Sequence, residues 1–230
     1  MDDSMEPTRV GLVYRLNNMN ASPEHSFKEQ QFPIVVLASS SPRRREMLSN
    51  AGIEHCVQPA RIDDGELTPG DAASAHQWVA ALAYLKAISS SRMIEDPDTE
   101  FSVVILGADT VCVQDGQIIG QPRDRAHARA IIDQMSGSTH EVLTGVAIIE
   151  PNGFRRDIFV DRSIVTVGEI SDDEIEAYLD SELWRGKAGA YNITERRAAG
   201  WPIEFMGDET SIVGLPLARV IERIGSFYLD

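Results

Sequence analysis

Little in this chain would staple it, anchor it or repeat it. Its 230 residues include only two cysteines, Cys56 and Cys112, spaced like neither a metal site nor a disulfide framework. Both read as buried thiols of a reducing compartment. No apolar run approaches the ~20 residues that a membrane-spanning helix needs. The N-terminus carries no basic-then-apolar signal pattern, so a cytoplasmic location is expected. Positive charge is scarce: 21 Lys and Arg stand against 36 Asp and Glu, for a formal net charge of −15. That balance excludes broad binding to nucleic acid or to a membrane surface, which needs a basic face. It leaves room for a small phosphate ligand, which needs only a local positive pocket. There is no internal repeat and no low-complexity segment. The histidines, His25, His55, His76, His127 and His140, lack metal-type spacing and are expected to be non-catalytic.

Apolar residues make up 43% of the chain and charged residues 25%, which places it among globular proteins able to bury a sizeable core unaided. Residues 1–31 are polar and irregular, apart from a short apolar patch at Val10 to Leu16, and read as a disordered or poorly packed extension. The compact pattern begins at Pro33. A helix is expected over Pro42 to Asn50, closed by Gly52, then a short strand from His55 to Pro59. An acidic loop follows at Ile62 to Asp71. Trp78, Val79, Leu82, Leu85 and Ile88 recur at helical spacing within Ala72 to Ser89. Phe101 to Leu106 reads as a buried strand running into Gly107-Ala108-Asp109-Thr110. Val111 to Ile119 reads as a hairpin around Asp115-Gly116. A helix over Asp124 to Met135 precedes two strands, Glu141 to Glu150 and Phe154 to Val167. Ser171 with Glu174 forms a capping box that opens a helix to about Tyr178. Gly214-Leu215-Pro216 starts a last helix. Helices and strands interleave, yet hairpins are present, so the fold class is α/β with a mixed sheet. No G-x-G-x-x-G follows the first strand, which disfavours a dinucleotide fold.

The most telling stretch is IVVLASSSPRRREML, residues 34–48. An apolar run breaks into three serines, then a proline and three arginines. Ser41 suits an N-cap and Pro42 the first helical position, so free backbone N–H groups point past the strand end. Arg43, Arg44 and Arg45 add forks matched to phosphate oxygens. The same residues would also suit a capped surface helix with solvated arginines. Asp109 follows an apolar strand, a place for a metal ligand, a general base or a turn cap. Lys86 lies late in an apolar helix, where it either acts or snorkels. Lys187 sits in the glycine-bearing stretch RGKAGAYNI, where backbone can approach a ligand or simply cross the surface.

The order of these pieces is more specific than any one of them. LASSSPRRREML, GADTVCVQDGQIIGQPRD, MSGSTHEVLTGVAI, GKAGAYNI and VGLPLARV, between about Ile34 and Ile224, resemble the Maf family of nucleoside triphosphate pyrophosphatases in register. The resemblance implies an elongated, two-lobed α/β domain over residues 32–230, with a twisted mixed sheet flanked by helices and a central cleft, similar to the inosine triphosphatase fold. It implies hydrolysis of a nucleoside triphosphate to the monophosphate and pyrophosphate with Mg²⁺ or Mn²⁺. It also implies a house-cleaning role and leaves room for a homodimer.

By motif, Ser39, Arg43, Arg44, Lys187 and Thr194 would bind substrate. Asp109 and Lys86 would be catalytic, and Asp64 and Asp109 would hold the cation. Asp64 is one methylene shorter than the family's usual Glu. Gln121 stands where Lys is common. NITERRAAGWPIE departs from the usual glutamine-and-glycine segment. GADT and KAGAY resemble the branch acting on dTTP and UTP, whereas the VCVQDGQIIG hairpin is closer to the branch acting on 7-methyl-GTP; the former is preferred. The alternatives are an inosine or xanthosine triphosphate pyrophosphatase and a non-catalytic nucleotide-binding regulator of septum formation.

Overall fold

The computed structural model describes residues 33–62, 74–94 and 103–227. The N-terminal extension, Asp64 and most of the acidic loop lie outside the described residues. The elements run β1 (Ile34–Leu37), α1 (Pro42–Asn50), β2 (His55–Val57), α2 (Ala75–Ser91), β3 (Val103–Gln114), β4 (Gln117–Ile119), α3 (Arg125–Met135), β5 (Ser138–Ile149), β6 (Arg156–Val167) and α4 (Asp172–Asp180). A 3-10 turn at Ala188–Ala190 follows, then α5 (Ile193–Ala198), β7 (Ile203–Met206), α6 (Glu209–Val213) and α7 (Leu217–Ser226). One sheet takes the order β2-β1-β3-β5-β6-β7, with β4 on β3. The first three strands are parallel and the rest antiparallel, the mixed sheet expected from interleaved helices and hairpins.

The pleat sorts the side chains by face. Val35, Leu37, Leu106 and Ala108 pack with Leu48 of α1 and Val220 and Ile224 of α7. Val36 and Ile105 pack on the other face with Ala83 and Ala87 of α2. A larger cluster, including Tyr178, Trp184 and Trp201, closes the far end around α3, α4 and α5. Helix α2 lies unusually near the sheet. A Cβ on Gly107 would stand 2.2 Å from the Ala83 carbonyl oxygen, and one on Gly145 would stand 2.3 Å from that of Val79.

One sequence expectation differs from the structure. Strand β3 does not stop at Leu106 but continues to Gln114, because β5 pairs it residue by residue from Ile105 to Val113. Asp109 therefore sits inside a strand, not in a turn after one. The stretch after Tyr191 holds two short helices and an edge strand that its sequence did not announce, since none is long enough to show a period. No helix among the described residues is long and apolar enough to cross a membrane.

Candidate active site

Strand β3 is paired unevenly along its two edges. β1 covers it from Val103 to Leu106, and β4 covers it from Cys112 to Gln114. Between them, Gly107 to Val111 have β5 on one side and neither β1 nor β4 on the other. The chain also leaves β1 for β2 on one flank and returns to β3 on the opposite flank, a reversal of the kind that places ligands at the carboxyl ends of strands. A cavity of about 460 Å³ opens there. Its walls bring together Ser39, Arg43, Arg44, Lys86, Asp109 and Lys187, six residues singled out from sequence.

Asp109 and Lys86 meet directly. Asp109 shares a face of β3 with Gly107, and the missing side chain there lets α2 settle onto the strand. Lys86 Nζ then donates to Asp109 Oδ1 at 2.7 Å, with both side chains mostly buried. Asp109 is thus no turn cap, and Lys86 does not snorkel outward. A cavity-lining carboxylate with an ammonium beside it can accept a proton or hold a cation while the ammonium faces an anion.

The serine–arginine loop divides its labour. Ser41 caps α1, its hydroxyl accepting from Arg44 N at 3.4 Å, and Pro42 begins the helix. The Arg44 guanidinium, buried, donates from Nε to the Gly214 carbonyl at 2.7 Å, from NH1 to Ser39 Oγ at 3.1 Å and from NH2 to Thr110 Oγ1 at 3.0 Å. A chain of hydroxyls continues from Thr110 to Thr144 at 2.9 Å and from Thr144 to the Ser211 carbonyl at 2.8 Å. Its direction is fixed, because guanidinium only donates and a carbonyl only accepts. Arg44 therefore ties the loop after β1 to β3 and to the α6–α7 connection. Arg43 differs: its Nε is buried and has no hydrogen-bond partner, leaving its fork to the cavity.

The opposite wall comes from the segment around the 3-10 turn. Lys187 is 8% exposed and its ammonium pairs with the Glu195 carboxylate. Gly189 fits because any Cβ would stand 2.8 Å from Cys112 Sγ, and its φ is +70°. Thr194 is exposed in the first turn of α5 and is not on the cavity wall; Asn192 and Ile193 beside it are. His140 and Tyr191 also line the cavity, with Tyr191 Oη 3.1 Å from His140 Nε2. Burial pushes the imidazole down to about 4 and the phenol well above its ordinary value. His140 lacks metal-type spacing in the sequence, yet the fold sets it on the cavity wall. The signal that could have found it was its place in MSGSTHEVLTGVAI, one of the segments carrying the family resemblance.

A family model described as Maf-like protein matches residues 34–227. The chain belongs to the Maf family. It is 35% identical over 196 residues to the dTTP/UTP pyrophosphatase of Pelotomaculum thermopropionicum, spanning 84% of this chain and 96% of that protein. It is 34% identical over 196 residues to the protein of that name from Bacillus anthracis, spanning 85% of this chain and 96% of the relative. A solved nucleoside-triphosphatase, titled a dITP/XTP pyrophosphatase, from Mycobacterium abscessus overlays with a TM-score of 0.38 and 16% identity, over 60% of this chain and 75% of that one.

The donor set of this Maf cavity bears on a cation. Among the described residues no three His, Cys, Asp or Glu gather to cage a metal. Among the described lining residues Asp109 is the one carboxylate, on a wall that also carries Arg43 and Lys187. That fits a magnesium-like ion, which is held by one or two carboxylates and completes its shell with phosphate oxygens and water.

Proposed function

We propose that this Maf protein hydrolyses the α–β phosphoanhydride of nucleoside triphosphates, with dTTP and UTP preferred, releasing a nucleoside monophosphate and pyrophosphate. The observation that carries the reading is the Lys86–Asp109 pair at 2.7 Å on the wall of a cavity that also holds Ser39, Arg43 and Lys187. The names of the relatives from Pelotomaculum and Bacillus support the choice of base.

Arg43, Ser39, Lys187 and the N–H groups at the start of α1 bind and orient the triphosphate, with Arg44 holding their loop in place. Asp109, with Asp64 from the acidic loop, would hold a divalent cation, which would supply neutralisation of the phosphate charge. Asp109 also orients the attacking water and takes its proton. The water oxygen bonds to a phosphorus of the α–β bridge, the bridging P–O bond breaks, and its electron pair leaves on pyrophosphate when the α-phosphorus is attacked or on the nucleoside monophosphate when the β-phosphorus is. Lys86 stabilises the charge that grows on the phosphoryl oxygens. Residues 32–230 form the catalytic domain and residues 1–31 an extension outside it. The resemblance leaves room for a homodimer, and the sequence pattern favours a cytoplasmic enzyme.

Pyrophosphate release from dTTP, UTP, 7-methyl-GTP, ITP and XTP with Mg²⁺ tests the reading. Release is expected from dTTP and UTP, and Asp109→Asn should lower it by about 10²-fold or more with the fold intact. Silence of the wild-type protein on all five nucleotides, or near-normal turnover by Asp109→Asn, overturns it.

A further inference from the structure

Lys187 meets the cavity already engaged. Its ammonium pairs with Glu195, and its side chain is only 10% exposed whereas that of Glu195 is 41% exposed. Both partners stand on fixed backbone. The Lys187 segment is seated by Gly189 against Cys112 and by Tyr178 Oη, which donates to the Ala190 carbonyl at 3.0 Å. Glu195 lies in the first turn of α5, where Asn192 Oδ1 accepts from its backbone N–H at 2.9 Å. A Glu at this third helical position can reach back to the backbone N–H of the cap residue and close a capping box. Here the capping side chain is Asn192, and Glu195 turns to Lys187 instead. A carboxylate that does not itself line the cavity thus engages one of the cations on its wall.

We propose that Glu195 competes with the bound nucleotide for the Lys187 ammonium, and so weakens the hold on both the triphosphate and the departing pyrophosphate. The proposal rests on Lys187 being in the substrate subsite, as assigned above. With the backbones fixed, the exchange is a rotation of side chains: the Glu195 carboxylate swings into solvent as a phosphate oxygen takes its donor, and it returns as the anion leaves. Gln at this position keeps an oxygen that accepts from Lys187 Nζ but removes the competing charge. A pure positioning role would therefore survive Glu195→Gln, whereas competition would be relieved by it.

The test is calorimetric binding of the α,β-methylene analogue of UTP, with Mg²⁺, to the full chain, in wild type, Glu195→Gln, Lys187→Met and the double variant. Glu195→Gln should tighten binding about 3- to 10-fold, a coupling of the size seen between charges in contact. Its inhibition by inorganic pyrophosphate should strengthen in parallel, and both gains should vanish in the Lys187→Met background. Unchanged or weaker binding by Glu195→Gln, or a gain that persists without Lys187, overturns the inference and leaves the assigned activity standing. No binding of the analogue by the wild type, or wild-type affinity in Lys187→Met, overturns the substrate assignment itself and the inference with it.

Discussion

Arg43 and Arg44 are adjacent and chemically identical, yet the fold gives them separate tasks. Arg44 is 8% exposed and its guanidinium donates to the Gly214 carbonyl, Ser39 and Thr110, groups from three distant parts of the chain. A lysine there would keep the charge but lose the planar fork, and could not satisfy all three acceptors at their present spacing. Charge-assisted hydrogen bonds of this kind contribute about 1.5–3 kcal/mol each when a buried partner is left unmet. Arg44→Lys should therefore lower unfolding free energy by about 2–4 kcal/mol in a urea titration, and reduce activity through the displaced Ser39. Arg43→Lys, whose buried Nε has no partner, should leave stability within about 0.5 kcal/mol of wild type and raise KM. Equal stability losses in the two variants would show that the division of roles is wrong.

At the scale of the element, the site depends on how closely α2 approaches the sheet. Lys86 and Asp109 are 23 positions apart, and their contact exists because Gly107 and Gly145 leave no side chain beneath the helix. Gly107→Ala would set a methyl group 2.2 Å from the Ala83 carbonyl oxygen, a backbone atom that yields only if α2 moves as a body. Such overpacking costs about 1–3 kcal/mol, and the shift would draw Lys86 from Asp109. The expected result is a lower Tm together with a fall in kcat larger than that from a surface change of equal destabilisation. Normal kcat in a folded Gly107→Ala would sink the link between helix seating and catalysis. The sequence made α1 legible in full, because Ser41, Pro42 and Gly52 are local signals read within a few residues. It made Asp109 and Lys86 legible as candidates but not as a pair, since their meeting depends on strand register and helix docking. The length of β3 was hidden for the same reason: Asp109 and Thr110 break the apolar run, and only pairing with β5 carries the strand through them. Thr194 and Glu195 were legible as a departure near the substrate, but the pairing of Glu195 with Lys187 was not, because it depends on how two segments fold together.

The molecule as a whole carries a net charge of −15, and one buried group that is not a carboxylate bears on its stability in acid. The mixed sheet was legible from helices and strands that interleave while hairpins are also present. The inward placement of His140 was not, because Thr139, His140 and Glu141 look polar enough to be a strand's exposed start. In the fold His140 is 2% exposed, its Nδ1 is buried without a partner, and burial lowers its pKa from 6.5 to about 4. Below pH 6.5 the unfolded chain takes up a proton at this imidazole, while the folded chain stays neutral until about pH 4. Unfolding then binds a proton, so stability falls as pH falls through that window, and above it the group adds no pH dependence. At about 1.4 kcal/mol per unit, the loss between pH 6.5 and 5 is about 2 kcal/mol. The carboxylates act lower down. Glu176, held below its ordinary range by hydrogen bonds from Arg125 and Arg129, and Glu141, held by Arg162, lose their contribution only as pH drops through 4.5 and below. Relief of the net negative charge also begins there and has the opposite sign. The contribution of His140 across pH 6.5 to 5 is read by comparing the wild type with a variant that lacks the imidazole. Urea unfolding followed through the buried Trp184 and Trp201 should give a wild-type stability that declines across it, and a His140→Gln variant whose stability is nearly flat. A decline of the same steepness in both proteins would mean that another group, not His140, carries the acid sensitivity of the fold.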